Sequence, residues 1–268
     1  MMNYEIGSGK LSLTLIAQLI EEKTTLKLSD LAVERIKKCR QYLDDKLSTT
    51  GDPIYGINTG FGYLQHIKIE SENLTQLQHN LLLSHACGTG HEVPKEIVKT
   101  MLLLKVQSLS YGHSAIALTT VQRLIDFYNN DILPVIYTQG SLGASGDLAP
   151  LAHLTIPLIG EGEVWYQNER ITAAELNAKF GWDALMLQSK EGLALINGTQ
   201  FMSAYGVHCL LKAQKSAAWA DAIAAISIDA FDCRIDPFLN LSHIIRPHNG
   251  QIKTAENISA WLAGSEMI

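Results

Sequence analysis

The sequence predicts a mainly α-helical fold: an N-terminal helical lobe, the start of a long-helix bundle, and one small β-hairpin. Three observations predict it. Apolar residues recur at steps of three and four, an Ala- and Leu-rich stretch from about 199 to 230 lacks proline, and one segment, 163–172, carries a β signal. Taken in order, Val33, Ile36, Leu43 and Leu47 form an apolar stripe behind Ser29, a good N-cap. Leu74, Leu77 and Leu81 repeat the pattern behind Ser71. Pro94 opens a helix near 95–110, since proline is tolerated where the first N–H has no intrahelical partner. Val121, Leu124, Ile125 and Tyr128 mark the next. In Glu163-Val-Trp-Tyr-Gln-Asn-Glu-Arg-Ile-Thr172, two strand-forming runs flank a polar turn, which reads as a hairpin. Thr172 and Glu175 then fit a capping box, and Gly181 ends that helix.

The chain has 268 residues, which at about 150 per domain suggests one large or two ordinary domains. The expected division is 1–110 for the N-terminal lobe and 111–268 for the beginning of the central bundle. Hydrophobic residues at 47% against 18% charged exclude global disorder. A net charge of −6 argues against a nucleic-acid partner, which would call for a basic stripe. So few charges suggest that other subunits cover part of the surface. Cys39, Cys87, Cys209 and Cys233 lack the spacing of a metal or redox motif and read as reduced, mostly buried thiols. The N-terminus lacks a signal-peptide pattern. The uncharged run from Gly192 to Leu211 contains Asn197, Gln200 and His208, which suits a packed helix better than a membrane span. A cytoplasmic protein with no membrane or metal partner is expected.

Two glycine-rich stretches interrupt the helices. Tyr55-Gly-Ile-Asn-Thr-Gly-Phe-Gly62 sets a tyrosine and an asparagine in a flexible backbone. It reads as a turn between helices or as a functional loop. Gly140-Ser-Leu-Gly-Ala-Ser-Gly-Asp-Leu-Ala-Pro150 is neither a dinucleotide fingerprint nor a P-loop. It could be a phosphate nest or a loop capped by Asp147. Neither explains three contiguous small residues, Ala144, Ser145 and Gly146. Sharp bending would let the Gly146 amide nitrogen attack the Ala144 carbonyl carbon, a step a Cβ would obstruct. Loss of two waters would leave a 4-methylidene-imidazol-5-one, an electrophile that no ordinary side chain supplies.

Gly140–His153 resembles the signature of the aromatic amino acid ammonia-lyases, which build this ring. Tyr55–Gly62 is similar to the family's tyrosine loop, Leu81–Gly90 to its selectivity helix and Glu191–Thr199 to its asparagine motif. Arg246-Pro-His-Asn-Gly-Gln251 resembles a later landmark. Ser84-His85 resembles the histidine branch, because a polar pair can hydrogen-bond an imidazole where a large apolar residue cannot. The resemblance implies non-oxidative removal of ammonia from L-histidine to give trans-urocanate, using the ring formed by Ala144, Ser145 and Gly146, without PLP or metal. It implies Tyr55 as the base for the β-proton, Asn197 beside the ring or the amino group, and His85, Ser84 and Gly62 at the substrate. Asp147 would shape ring formation. It also implies a homotetramer whose active sites draw on several subunits. Family members continue past the point matching Ile268 into a half that holds the substrate carboxylate. A non-catalytic module or one half of a split enzyme is therefore an alternative, and a tyrosine or phenylalanine lyase or aminomutase is another.

Overall fold

The computed structural model describes residues 3–49, 52–142 and 146–268. In chain order the elements are β1 (Asn3–Ile6), α1 (Leu13–Glu21), β2 (Thr25–Leu28), α2 (Asp30–Thr49), α3 (Leu74–His85), β3 (Thr89–Glu92), α4 (Lys95–Ser110) and α5 (Leu118–Asn129). There follow β4 (Leu133–Pro134), β5 (Tyr137–Gln139), α6 (Leu148–Thr155), β6 (Glu163–Tyr166), β7 (Glu169–Thr172), α7 (Ala173–Phe180) and α8 (Glu191–Ile196). The chain closes with α9 (Gln200–Ala230), α10 (Leu241–Ile244) and α11 (Asn249–Leu262). The fold is mainly α, as the periodicity predicts.

Several local signals act as the sequence reading expects. Ser29 Oγ accepts the Ala32 N–H at 3.2 Å, capping α2. The hairpin pairs Glu163 with Thr172 and Tyr166 with Glu169. Its two turn residues, Gln167 and Asn168, both have positive φ (50° and 65°), as a tight hairpin twisting with its strands requires. The Thr172–Glu175 capping box is present, and α7 stops at left-handed Gly181. Ser71 instead begins a 3-10 turn, Ser71–Asn73, ahead of α3.

The short strands are additional. β1 and β2 pair in parallel, β3 pairs with β5, and β4 joins the hairpin sheet through β6. Asn129 holds β2 by bonding both the N–H (2.7 Å) and the carbonyl (3.0 Å) of Leu26.

The chain divides into two compact units, Met1–Val207 and His208–Ile268. The 110/111 division expected from the sequence falls between α4 and α5, whose apolar residues lie in one core. That core belongs to the first unit, and α4 runs through it: eleven of its residues, Lys105 and Gln107 included, are buried. An apolar helix buried all round needs such a surround. In the second unit a smaller cluster gathers Ala225, Ile258 and Leu262. No helix among the described residues is long and apolar enough to cross a membrane.

The four cysteines are free, but the expectation of mostly buried thiols is corrected. Cys39 is half-buried and Cys87, Cys209 and Cys233 are exposed. Cys209 lies on a stretch of α9 with little covering it, so its apolar character does not bring burial.

Candidate functional site

Of the ring-forming tripeptide, Ala144 and Ser145 lie outside the described residues, and Gly146 is described. Gly146 has φ +87°, and an added Cβ would drive into the carbonyl oxygen of Gly198. The two glycines form an isolated parallel β-bridge. The Asp147 N–H donates to Gly198 O at 3.2 Å, and the Leu148 N–H donates to Gly146 O at 3.1 Å. The start of the 146–148 segment is thus laid along the turn that follows Asn197. A position that is left-handed and closed to a side chain admits glycine alone.

Asp147 acts differently from a simple helix cap. It precedes α6, yet its side chain makes no bond to that helix. Buried at 5% exposure, its carboxylate accepts the Met202 N–H in the first turn of α9 (2.9 Å) and the Ser141 hydroxyl (2.9 Å). A carboxylate over a helix N-terminus satisfies a free donor and complements the helix dipole. Asp147 therefore ties the glycine loop to the helix that follows the asparagine motif.

Asn197 is the C-cap of α8, half-buried, with its backbone N–H (3.1 Å) and its Nδ2 (3.2 Å) both donating to Leu193 O. Its side-chain oxygen remains an acceptor. The start of α8 is held by Glu191, which is 1% exposed and accepts from Ala117 N (3.0 Å), Thr120 Oγ1 (2.7 Å) and Gln188 N (2.8 Å). Gln78 of α3 accepts the Gly192 N–H at 2.9 Å. At the other end, Lys105 Nζ donates to Ala194 O (2.8 Å) and Asn197 O (3.1 Å). Lys105 is 1% exposed, and burial pushes its pKa from 10.5 down to about 7.

Tyr55 stands on a loop organised by its own polar side chains. Asn58 Oδ1 accepts the Ile54 N–H (2.6 Å) and Nδ2 donates to Asp52 O (2.9 Å), while Thr59 Oγ1 donates to Gly60 O (3.0 Å). The loop meets α8 at Gly56, where any Cβ would strike the Leu193 side chain at 2.7 Å. Tyr55 is 57% exposed, and its ring meets Phe61 edge-on at 6.3 Å. Gly62 opens a 3-10 turn at φ +56° with open space around it.

Phe61 also lines a cavity of about 310 Å³ between this loop and α3. Leu64, Ile67, Leu77 and Leu81 make its walls apolar, and Asn80, Ser84 and His85 are its polar residues. His85 Nδ1 is 2.8 Å from Leu81 O and 3.1 Å from Ser84 Oγ. A carbonyl only accepts, so Nδ1 carries the hydrogen and Nε2 is left as an acceptor in the neutral ring. Nearby, His153 Nε2 accepts the Gly88 N–H at 2.9 Å, and burial lowers its pKa. Among the described residues no group of three or more His, Cys, Asp or Glu could hold a metal ion.

The structure thus brings Gly146 against the Asn197–Gly198 turn, and Phe61, Ser84 and His85 around one cavity. The tyrosine loop and α3 each pack on α8, α3 doing so through Gln78. Sequence reasoning missed Lys105 and Glu191. The available signal was a lone lysine within Met101-Leu-Leu-Leu-Lys-Val106.

The chain is a mainly helical body that sets a left-handed Gly146, closed to any side chain, against the turn after Asn197. The family model for aromatic amino acid lyases matches residues 11–268, and the chain belongs to that family. It is 41% identical to the histidine ammonia-lyase of Caldanaerobacter subterraneus over 98% of this chain and 52% of that protein. Against the histidine ammonia-lyase of Deinococcus radiodurans it is 43% identical over 96% of this chain and 49% of that protein. Among solved structures, histidine ammonia-lyase from Trypanosoma cruzi superposes with a TM-score of 0.88 at 35% identity, covering 97% of this chain and 51% of that one. Tyrosine aminomutase from Streptomyces globisporus gives 0.90 at 32% identity, with 97% and 49% covered. The chain spans about half the length of the curated relatives it matches.

Proposed function

We propose that the chain carries the ring-forming half of a histidine ammonia-lyase that converts L-histidine to trans-urocanate and ammonia. The observation that carries this reading is Gly146, closed to any side chain and bridged to the turn after Asn197. The nitrogen that must close a ring with Ala144 belongs to the residue that a Cβ would exclude, so the residues present fit the methylidene-imidazolone. Once formed from Ala144, Ser145 and Gly146, that ring supplies an electrophile for the substrate amine and makes it a better leaving group.

The chain's own residues would do the rest of what it contributes. The Asn197 side-chain oxygen, with no backbone donor among the described residues, accepts from the substrate amino group. Tyr55, exposed on its loop, takes the β-proton. The cavity beside Phe61 takes the ring of the substrate, where His85 Nε2 and Ser84 offer acceptors to an imidazole N–H. Those polar groups favour histidine over phenylalanine, which would leave them unpaired.

The exposed apolar side chains of the second unit, Trp219, Ile226, Phe231 and Trp261 among them, support assembly into a homo-oligomer, a tetramer by family resemblance. Light scattering of the purified chain tests that.

Intact mass spectrometry tests the central claim: two waters should be missing relative to the sequence. Ultraviolet absorbance then reads urocanate from L-histidine, with L-tyrosine and L-phenylalanine in parallel. An unaltered mass removes the ring from this chain and favours a non-catalytic module. Turnover of tyrosine or phenylalanine in place of histidine moves the chain to the tyrosine or phenylalanine lyases and aminomutases, a reading the likeness to tyrosine aminomutase favours.

A further inference from the structure

Lys105 is unexplained by the chemistry above. It is a long cationic side chain in the middle of a buried apolar helix, α4, with no ion-pairing carboxylate recorded among the described residues. Such a charge is costly to bury unless something specific holds it. What holds it is the end of α8: the Ala194 and Asn197 carbonyls accept from Nζ at 2.8 and 3.1 Å. Helix C-termini present unpaired carbonyls and the negative end of the dipole, so an ammonium there is both a hydrogen-bond donor and a matching charge.

We infer that Lys105 is a positioning residue for Asn197, fixing from inside the core the turn on which the Asn197 side chain is carried. One bond is to the carbonyl of Asn197 itself, and the next residue, Gly198, bears the bridge to Gly146. A change in the ammonium is therefore transmitted through one residue's backbone to its amide side chain. That Asn197 meets substrate rests on the function proposed above; that Lys105 sets its position does not.

The charged groups on the elements around α8 can be named. Glu191 at its start is occupied by Ala117, Thr120 and Gln188, and Asp147 is occupied by Ser141 and Met202. α3 contributes His79 and His85, α6 contributes His153, Lys190 is the N-cap of α8, Arg40 donates to the Ser189 carbonyl just before it, and Tyr55 stands on the loop that meets α8 at Gly56. All of these groups remain in a Lys105→Met variant, which keeps an unbranched side chain of similar length and removes the ammonium.

The test is a pH titration of the whole chain labelled with ¹⁵N-asparagine, following the Asn197 side-chain amide, identified by its loss in Asn197→Asp. In the unsubstituted chain this signal should move with a midpoint near that of Lys105, read from its own Nζ resonance. In Lys105→Met that component should vanish while the histidine-linked shifts elsewhere persist. An Asn197 amide that ignores the Lys105 titration in the unsubstituted chain overturns the inference whether or not the variant folds. So does one that titrates identically in the variant. Ring formation is read separately from intact mass, so failure of the functional reading is distinguishable.

Discussion

Replacing Lys105 by methionine should change how the stability of the first unit depends on pH. In the unfolded chain this lysine keeps its proton up to its ordinary value of 10.5, whereas burial in the folded chain lowers that to about 7. Between those values the unfolded state binds more protons, so stability rises with pH, by up to about 1.4 kcal/mol per unit. From pH 7, where the folded group is half-titrated, to pH 9 the gain integrates to about 2 kcal/mol. Lys99 and Lys190 are also lowered by burial and act in the same direction, so the difference between the two proteins is the measure. Tyr128, pushed up to about 12, contributes only above its ordinary value of 10.0. Urea unfolding followed by circular dichroism reads the effect. For an m-value of about 2 kcal/mol/M, the unsubstituted midpoint should climb about 1 M more than the variant's. Parallel curves for the two proteins between pH 7 and 9 would refute the buried-ammonium argument.

Gly146→Ala should retain both water molecules and lose at least about 1–2 kcal/mol of stability, from the left-handed backbone alone, with the clash on Gly198 O adding to it. Mass spectrometry and thermal melting check it, and an equally stable variant that still lost the two waters would contradict the site geometry. Glu191→Ala orphans three donors and should cost about 3 kcal/mol or more, at roughly 1–3 kcal/mol per buried unsatisfied group. Glu191→Gln should cost less, because its amide oxygen can still accept from Ala117 and Thr120; equal losses in denaturant titrations would count against the assigned bonds. Burial lowers the folded pKa of His153 below its ordinary 6.5, so the stability it contributes is complete above 6.5 and is lost as pH falls through the folded value. Melting curves across that range should show an acid-side loss that His153→Gln weakens.

Local chemistry was legible where a few neighbouring residues decide it. Gln167-Asn168 marks its own turn, Thr172 and Glu175 cap each other, and Ser29 caps α2, all within four residues. The motifs around Tyr55, His85, Gly146 and Asn197 were legible as motifs because composition and order carry them. What escaped depends on partners far along the chain. The β1–β2 pair is four residues long on each side and is fixed by Asn129, which no periodicity reports. Asp147 reads as the cap of its own helix, but its carboxylate goes to Met202, fifty-five positions on. Nothing local marks Lys105 for burial, since a lysine is almost never fully buried unless paired, and its partners lie at Ala194 and Asn197.

The bridge between Gly146 and Gly198 bears on timing during synthesis. Residue 146 leaves the ribosome well before residue 198, and until the later stretch emerges the bonds from Asp147 to Gly198 and Met202 cannot form. If the proposed ring needs Gly146 in this bridged conformation, its closure would follow docking of the downstream turn. The dehydrated species would serve as a built-in certificate that both stretches had met, written into the molecule's weight.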